Sequence, residues 1–176
     1  MGHEVVNPSR FIHLGLVLLA LLLGGCAYTL GPVNGVIAKD KSIQVNPFAN
    51  QTLEPRLTDA VTSQLRKQLQ QDGTYRLATH SEGDIIVSGS ITNYQRHELS
   101  FARTDTLTVR DFRLSMGALV TVKDRVTGKT VLNTPVVGYT IIRVGSDLTS
   151  SERQALPLLA EDLAKNVTSL LVEGSW

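Results

Sequence analysis

Cysteine is almost missing from this chain: one thiol, Cys26, in 176 residues. A lone cysteine makes no internal disulfide, so no disulfide framework holds the fold. Histidine is nearly as scarce. Of the four present, only His80 and His97 lie beyond the N-terminal segment, and they are too far apart for a metal-ligand spacing. There is no Gly-x-Ser-x-Gly elbow and no glycine-rich phosphate loop. Aspartates and glutamates fall at turns and on polar helix faces, where solvation is their ordinary role. These gaps point away from an enzyme and away from a metal or other cofactor. The net charge of +1 excludes the broad basic field of a nucleic-acid binder. Aromatic residues make up only 5%, and neither an internal repeat nor a low-complexity tail is present. No apolar run reaches the roughly 20 residues that a helix needs to cross a bilayer.

What the chain does have is an apolar run from Phe11 to Leu23, broken only by His13 and Gly15. Its length suits the core of a signal peptide, roughly 7 to 15 residues. Arg10 precedes it, and the small residues Gly24 and Gly25 follow. The alternative is a buried helix, but one apolar on every face needs cover all round, which a small domain hardly provides. Leu23-Gly24-Gly25-Cys26 resembles the bacterial lipoprotein box, in which the cysteine is acylated and becomes the new N-terminus. A free thiol exported to an oxidising compartment is a liability, and a thioether to diacylglycerol removes it. The alternative for Cys26 is a small buried hydrophobe. One acyl chain anchors marginally, at about 0.8 kcal/mol per buried methylene, whereas two or three palmitate-type chains anchor durably. Ala27 stands where an Asp in such lipoproteins tends to retain the protein at the inner membrane, so the outer membrane is expected. The organisation expected is a signal peptide over 1–25, a lipidated N-terminus and short tether over 26–41, and one domain over 42–176. The tether, with Gly31, Pro32 and Gly35, carries loop punctuation. The remainder is long enough for a real core.

Within the domain, Ile43 and Val45 alternate with polar residues up to Pro47, which reads as a strand. Leu57, Val61, Leu65 and Leu69 form one stripe of a helix, with Pro55 suited to its first turn and Gly73 to its stop. A short strand is possible near Tyr75–Ala78. The segment DIIVSGSITNYQR reads as a second strand, in which Gly89 marks a bulge or a close backbone approach. Phe112, Leu114, Met116, Ala118, Val120 and Val122 alternate along a long half-buried third strand. A turn follows with Gly128 available for positive φ. TVLNTPVVGYTIIRV returns as a fourth strand, which Pro135 places at an edge or a bulge. Leu156, Leu159, Leu163, Val167 and Leu170 define a terminal helix. Thr149 and Glu152 offer it a capping box, and Pro157 either starts it or kinks it. The fold class expected is α+β, order β-α-β-β-β-α. It has about four strands in a mixed or antiparallel sheet, with both helices on one face.

The sequence resembles the LptE family of lipopolysaccharide-assembly lipoproteins. CAYTL resembles the start of those chains after lipidation. IQVNPFANQTLEPRLTDAVTSQL resembles the family's first strand and helix, with Phe-x-Asn-x-Thr, then Pro and Leu-Thr. GDIIVSGSITNY resembles its Gly-x-Ile-x-x-Tyr strand, DFRLSMGALVTVKDRVTGKTVL its Tyr-Arg-Leu strand and Thr-Gly-Lys turn, and LAEDLAKNVTSLL its last helix. Ala27, Asp111-Phe112 and Pro157 depart from the usual pattern. The resemblance implies a non-catalytic role: a plug inside the LptD β-barrel of the outer membrane, aiding barrel assembly and insertion of lipopolysaccharide into the outer leaflet. It implies lipopolysaccharide and that barrel as partners, and Cys26 as the anchor. Contact with lipid phosphates favours arginine, whose planar fork binds oxyanions bidentately. Arg103, in a connection where the family places a basic residue, is the first candidate and Arg143 the second. Arg96 and Arg110 share the stretch around Arg103; as an alternative, all four are ordinary solvated charges. A second reading is a lipoprotein that activates a penicillin-binding protein, since those also use a Phe-x-Asn-x-Thr strand before a helix. Their tethers tend to be long, whereas Tyr28–Lys41 reaches at most about 3.5 Å per residue.

Overall fold

The computed structural model describes residues 41–80, 82–102, 105–144 and 147–173. The signal peptide, Cys26, the tether and Arg103 lie outside the described residues. Two short strands open the domain, β1 (Ser42–Val45) and β2 (Ala49–Asn50), followed by α1 (Leu57–Asp72) and β3 (Arg76–Leu77). The long strands β4 (Ile85–Ala102), β5 (Asp105–Asp124) and β6 (Thr130–Arg143) come next, and α2 (Leu148–Glu173) ends the domain. The class is α+β, as the patterning implies. The sheet runs β3-β1-β4-β5-β6, with β2 also paired to β4. It has six strands instead of about four, because Pro47 divides the first strand in two and the two-residue β3 joins the edge. β1 and β4 are parallel, with α1 as the crossover between them. β4, β5 and β6 form the expected antiparallel meander.

One face of the sheet holds the core. Ile85, Val87 and Ile91 of β4 and the whole alternating set from Phe112 to Val122 of β5 are buried. They pack with Leu57, Val61, Leu65 and Leu69 of α1 and with Leu159, Leu163, Val167 and Leu171 of α2. Leu171 is fully buried while Leu170 is only partly so. The buried stripe of α2 is therefore centred one position away from the periodicity read at its end.

Two close approaches fix the layers. A Cβ on Gly89 would collide with the Phe48 ring and lie 2.8 Å from the Leu119 carbonyl. Gly89 thus marks a close approach, and the register shift of β4 falls later, between Ile91 and Asn93. A Cβ on Gly138 would lie 2.5 Å from the backbone nitrogen of Leu163, so α2 rests directly on β6 there. Gly73 and Gly128 both take positive φ. Pro135 lies on β6, the edge strand, where its missing N–H breaks no ladder bond.

Three local expectations need correction. Pro55 precedes α1, which starts at Leu57 after a left-handed Arg56. α2 starts at Leu148 and runs through Pro157. Its cap is Asp147, whose carboxylate accepts from the backbone N–H of Ser150 (2.8 Å) and of Thr149 (3.3 Å). The Thr149–Glu152 box does not form, because Glu152 turns to Arg96 instead. Finally, β4 continues to Ala102 and β5 begins at Asp105, so most of the stretch read as a connection is hairpin. Gln95–Leu99 are exposed on both faces. With nothing to bury there, the apolar alternation fades while the backbone ladder continues.

Candidate binding face

The hairpin and its register decide where each arginine stands. Arg96 pairs across the sheet with Leu114, a core residue, and so faces the helices. Its guanidinium meets Glu152 of α2 and lies 5.5 Å from the centre of the Phe112 ring. The bond to Glu152 raises its pKa above the usual arginine value. The neighbouring Tyr94 is half-buried, and desolvation, reinforced by Glu152 and Glu54, pushes its phenol up to about 12. Arg96 is thus a clasp between the hairpin and α2, with its charge already engaged.

Arg143 ends β6 opposite Asp111. Its Nε donates to Asp111 Oδ1 at 3.0 Å, while Ser100 Oγ donates to the other carboxylate oxygen at 2.6 Å. Those two bonds, the serine's first, hold the Asp111 carboxyl below the usual carboxylate range. Arg110 is exposed and falls at a register shift of the hairpin, between Asp111 opposite Ser100 and Val109 opposite Phe101. The four sequence candidates therefore do not converge: Arg96 takes the helix side, Arg143 takes the opposite face, Arg110 falls at the register shift, and Arg103 is outside the described residues.

The face away from the helices carries a feature that the sequence reading passed over. Residues of β5 and β6 with odd numbers point outward here, because their even neighbours form the core. Val137, Tyr139 and Ile141 are 57%, 56% and 58% exposed. Leu119 and Pro135, a cross-strand pair on the same face, extend the apolar surface. Arg113, opposite Ile141, lies with its guanidinium 5.7 Å from the centre of the Tyr139 ring. It makes no ion pair among the described residues. The signal was present in TVLNTPVVGYTIIRV: both alternating sets are apolar, on a strand that Pro135 marks as an edge.

That edge is closed to strand pairing in its middle. Asp162 Oδ2 of α2 accepts from the Tyr139 N–H at 2.9 Å, and Asn166 Nδ2 donates to the Val137 carbonyl at 2.8 Å. Open clefts lie elsewhere among the described residues. One, of about 390 Å³, is lined by Gln51–Glu54 and Thr92–Tyr94. Another, of about 290 Å³, lies beside Gln44, Arg66 and His80. Among the described residues no group of three His, Cys, Asp or Glu side chains is placed to hold a metal ion. No helix among them is long and apolar enough to cross a membrane.

Comparisons with known proteins complete the picture. Comparison with curated sequences gives no match. Solved structures share the fold at low identity. A hypothetical protein from Chlamydia trachomatis superposes with a TM-score of 0.55 at 10% identity, over 74% of this chain and 95% of that one. A protein from Xanthomonas campestris gives 0.56 at 7% identity, over 76% and 84%. A minor lipoprotein from Acinetobacter baumannii gives 0.50 at 15%, over 76% and 93%. The model of the family described as LptE, lipopolysaccharide-assembly, matches residues 41–171, which is the whole of the folded domain from before β1 to the last turns of α2. On that match, the chain belongs to the LptE lipopolysaccharide-assembly family.

Proposed function

We propose that this protein is a non-enzymatic outer-membrane lipoprotein, anchored through acylated Cys26 on the periplasmic side. It plugs an LptD-type β-barrel, helping the barrel to assemble and to pass lipopolysaccharide into the outer leaflet. The observation that carries this reading is the family match across residues 41–171. The physics is compatible with it: large barrels have polar interiors, and the helices and hairpin of this domain present mostly polar surface. Lipopolysaccharide contact through Arg143, Arg110 and Arg103, with Arg96 held back by Glu152, belongs to the same proposal. The Phe-x-Asn-x-Thr segment carries no weight for the cell-wall alternative. Its residues make the turn into α1: Asn50 Oδ1 accepts from the N–H and hydroxyl of Thr52, and Phe48 is buried in the core.

The test is affinity purification from detergent-extracted outer membranes, with a tag after Trp176 and mass-spectrometric readout. A stoichiometric β-barrel of the lipopolysaccharide-transport type is expected. A penicillin-binding protein without any barrel would overturn the proposal.

A further inference from the structure

In an antiparallel ladder alternate residues bond to opposite sides, so a strand with one neighbour leaves every second residue's N–H and C=O free. β4 stands in that position beyond Ile91. β1 and β2 line its first half, and the last bond on that side runs from the Gln51 N–H to the Ile91 carbonyl. From Thr92 onward β4 pairs with β5 alone among the described residues. The register shows which groups are free. The Val87 and Ile91 carbonyls, opposite Val122 and Ala118, point away from β5 and accept from Asn46 and Gln51. Tyr94, Arg96 and Glu98 hold the same relation to Met116, Leu114 and Phe112. Their backbone groups therefore point to the open side, and no described group bonds to them. The other edges are guarded. Asp162 and Asn166 occupy the middle of β6, and Arg66 Nη2 donates to the Val45 carbonyl at 2.8 Å beside β1.

The open edge begins in a cleft. The cavity of about 390 Å³ between Gln51–Glu54 and Thr92–Tyr94 lies where β2 turns away from β4. Its outer wall is braced: Asn50 Oδ1 accepts from the N–H and hydroxyl of Thr52, and Asn50 Nδ2 donates to the Glu54 carbonyl at 2.7 Å. That turn holds Leu53 fully exposed on the rim. An added strand here would continue the line of β2, with an apolar side chain beside Leu53.

The charges along this edge choose the occupant. Glu152 and Glu54 both act on Tyr94, and Glu98 acts on Arg96. Arg96 is the one cation against these three carboxylates, and Glu152 already engages it. Glu98 makes no ion pair among the described residues. A second copy, paired antiparallel, can set Arg96 beside Glu98 of its mate, but each copy then brings the same surplus of carboxylate and none of it is offset. An extended segment bearing lysine or arginine offsets it directly.

We propose that the open edge of β4, from Thr92 to Glu98, is a docking site for an extended basic segment of a partner protein. The segment pairs as an added strand with Tyr94, Arg96 and Glu98, sets an apolar side chain into the cleft beside Leu53, and aligns a cation with Glu98. Main-chain bonds supply the affinity, while the cleft and the carboxylates supply the selectivity. This inference goes beyond the plug reading and does not rest on it.

The experiment uses the full chain in detergent and the peptide acetyl-TLTKTKT-amide as probe, with residue-resolved amide exchange as the readout. In extended form the leucine and both lysines of the peptide share one face. In the chain alone the amides of Tyr94, Arg96 and Glu98 are expected to exchange fast, and those of Gln95 and His97, directed at β5, slowly. Saturable binding of the peptide is expected to slow the first three at least tenfold and to leave Tyr139, on the opposite edge, unchanged. A peptide with glutamate at both lysine positions is expected to bind at least tenfold more weakly, and Glu98→Lys to narrow that gap at least threefold. Leu53→Ser is expected to weaken both peptides. Both variants change exposed side chains, and unchanged melting certifies the fold. No protection of the three amides at millimolar peptide overturns the proposal, and so does equal binding of the two peptides to the wild-type chain. Protection that grows with chain concentration in the absence of peptide overturns it in favour of a second copy. The barrel takes no part in this experiment, so none of these outcomes touches the plug reading.

Discussion

At the residue scale, the motifs that carry the family resemblance are mostly devices of folding. Phe48 lies against the bare α-carbon of Gly89, so the Phe-x-Asn-x-Thr segment and the Gly-x-Ile-x-x-Tyr strand are two halves of one contact. The Phe48 N–H donates to Thr62 Oγ1 at 3.2 Å, which ties the same junction to α1. A methyl at Gly89 would press on both the ring and the Leu119 carbonyl. Gly89→Ala is therefore expected to cost about 1–3 kcal/mol, in the range of overpacked cores. Phe48→Leu removes the ring but leaves the carbonyl, so the double variant should recover part of that loss and not all of it. Urea unfolding of the two single variants and the double measures this as a coupling energy, expected between about 0.5 and 3 kcal/mol. Strict additivity would show that the ring and the glycine do not constrain one another. Gly89 was legible in the sequence as a bulge or close approach, but its partner Phe48, beyond Pro47 where the strand reading stopped, was not. The contact of Arg113 with an aromatic ring was not legible: it occupied one more polar position on an alternating strand, and only the folded sheet sets Tyr139 beside it.

At the element scale, local rules were right where burial enforced them and incomplete elsewhere. The stripe of α1 and the inner face of β5 were fully readable because each apolar position repeats at the period of its element. The distal hairpin was not, because exposed backbone pairing leaves no trace in side-chain chemistry. The start of α2 was left open because Pro157 looks like a boundary, and the offered cap at Thr149 lay two residues after Asp147, which caps the helix. Pro157 is exposed, and lacking an N–H it cannot bond to the Arg153 carbonyl one turn back. Nothing around it needs the ring. Pro157→Ala should restore that bond and stabilise the protein by roughly 1–3 kcal/mol, less whatever the added freedom of the unfolded chain offsets. Thermal and urea unfolding would register the gain. A loss of stability would mean that the proline constrains α2 in a way its neighbours require.

At the scale of the whole molecule, the two faces of the sheet have different fates, and α2 enforces the difference. It seals the inner face with Leu159, Leu163, Val167 and Leu171, and it reaches round β6 with Asp162 and Asn166 to occupy the edge. An edge strand with Val137, Tyr139 and Ile141 exposed is otherwise a template for pairing with another chain. The terminal-helix motif LAEDLAKN thus holds packing and protection in one segment: its leucines face the core, while its aspartate and asparagine guard the strand. Replacing both guards, Asp162→Ala with Asn166→Ala, frees the Tyr139 N–H and the Val137 carbonyl together. Neither side chain is buried in the core, so the fold should persist while the edge opens. Analytical ultracentrifugation is expected to show concentration-dependent dimers or larger species, and amide exchange at Tyr139 should accelerate. A variant that stays as monomeric as the wild type would mean that Pro135 and the cation at Arg113 suffice to keep strands away.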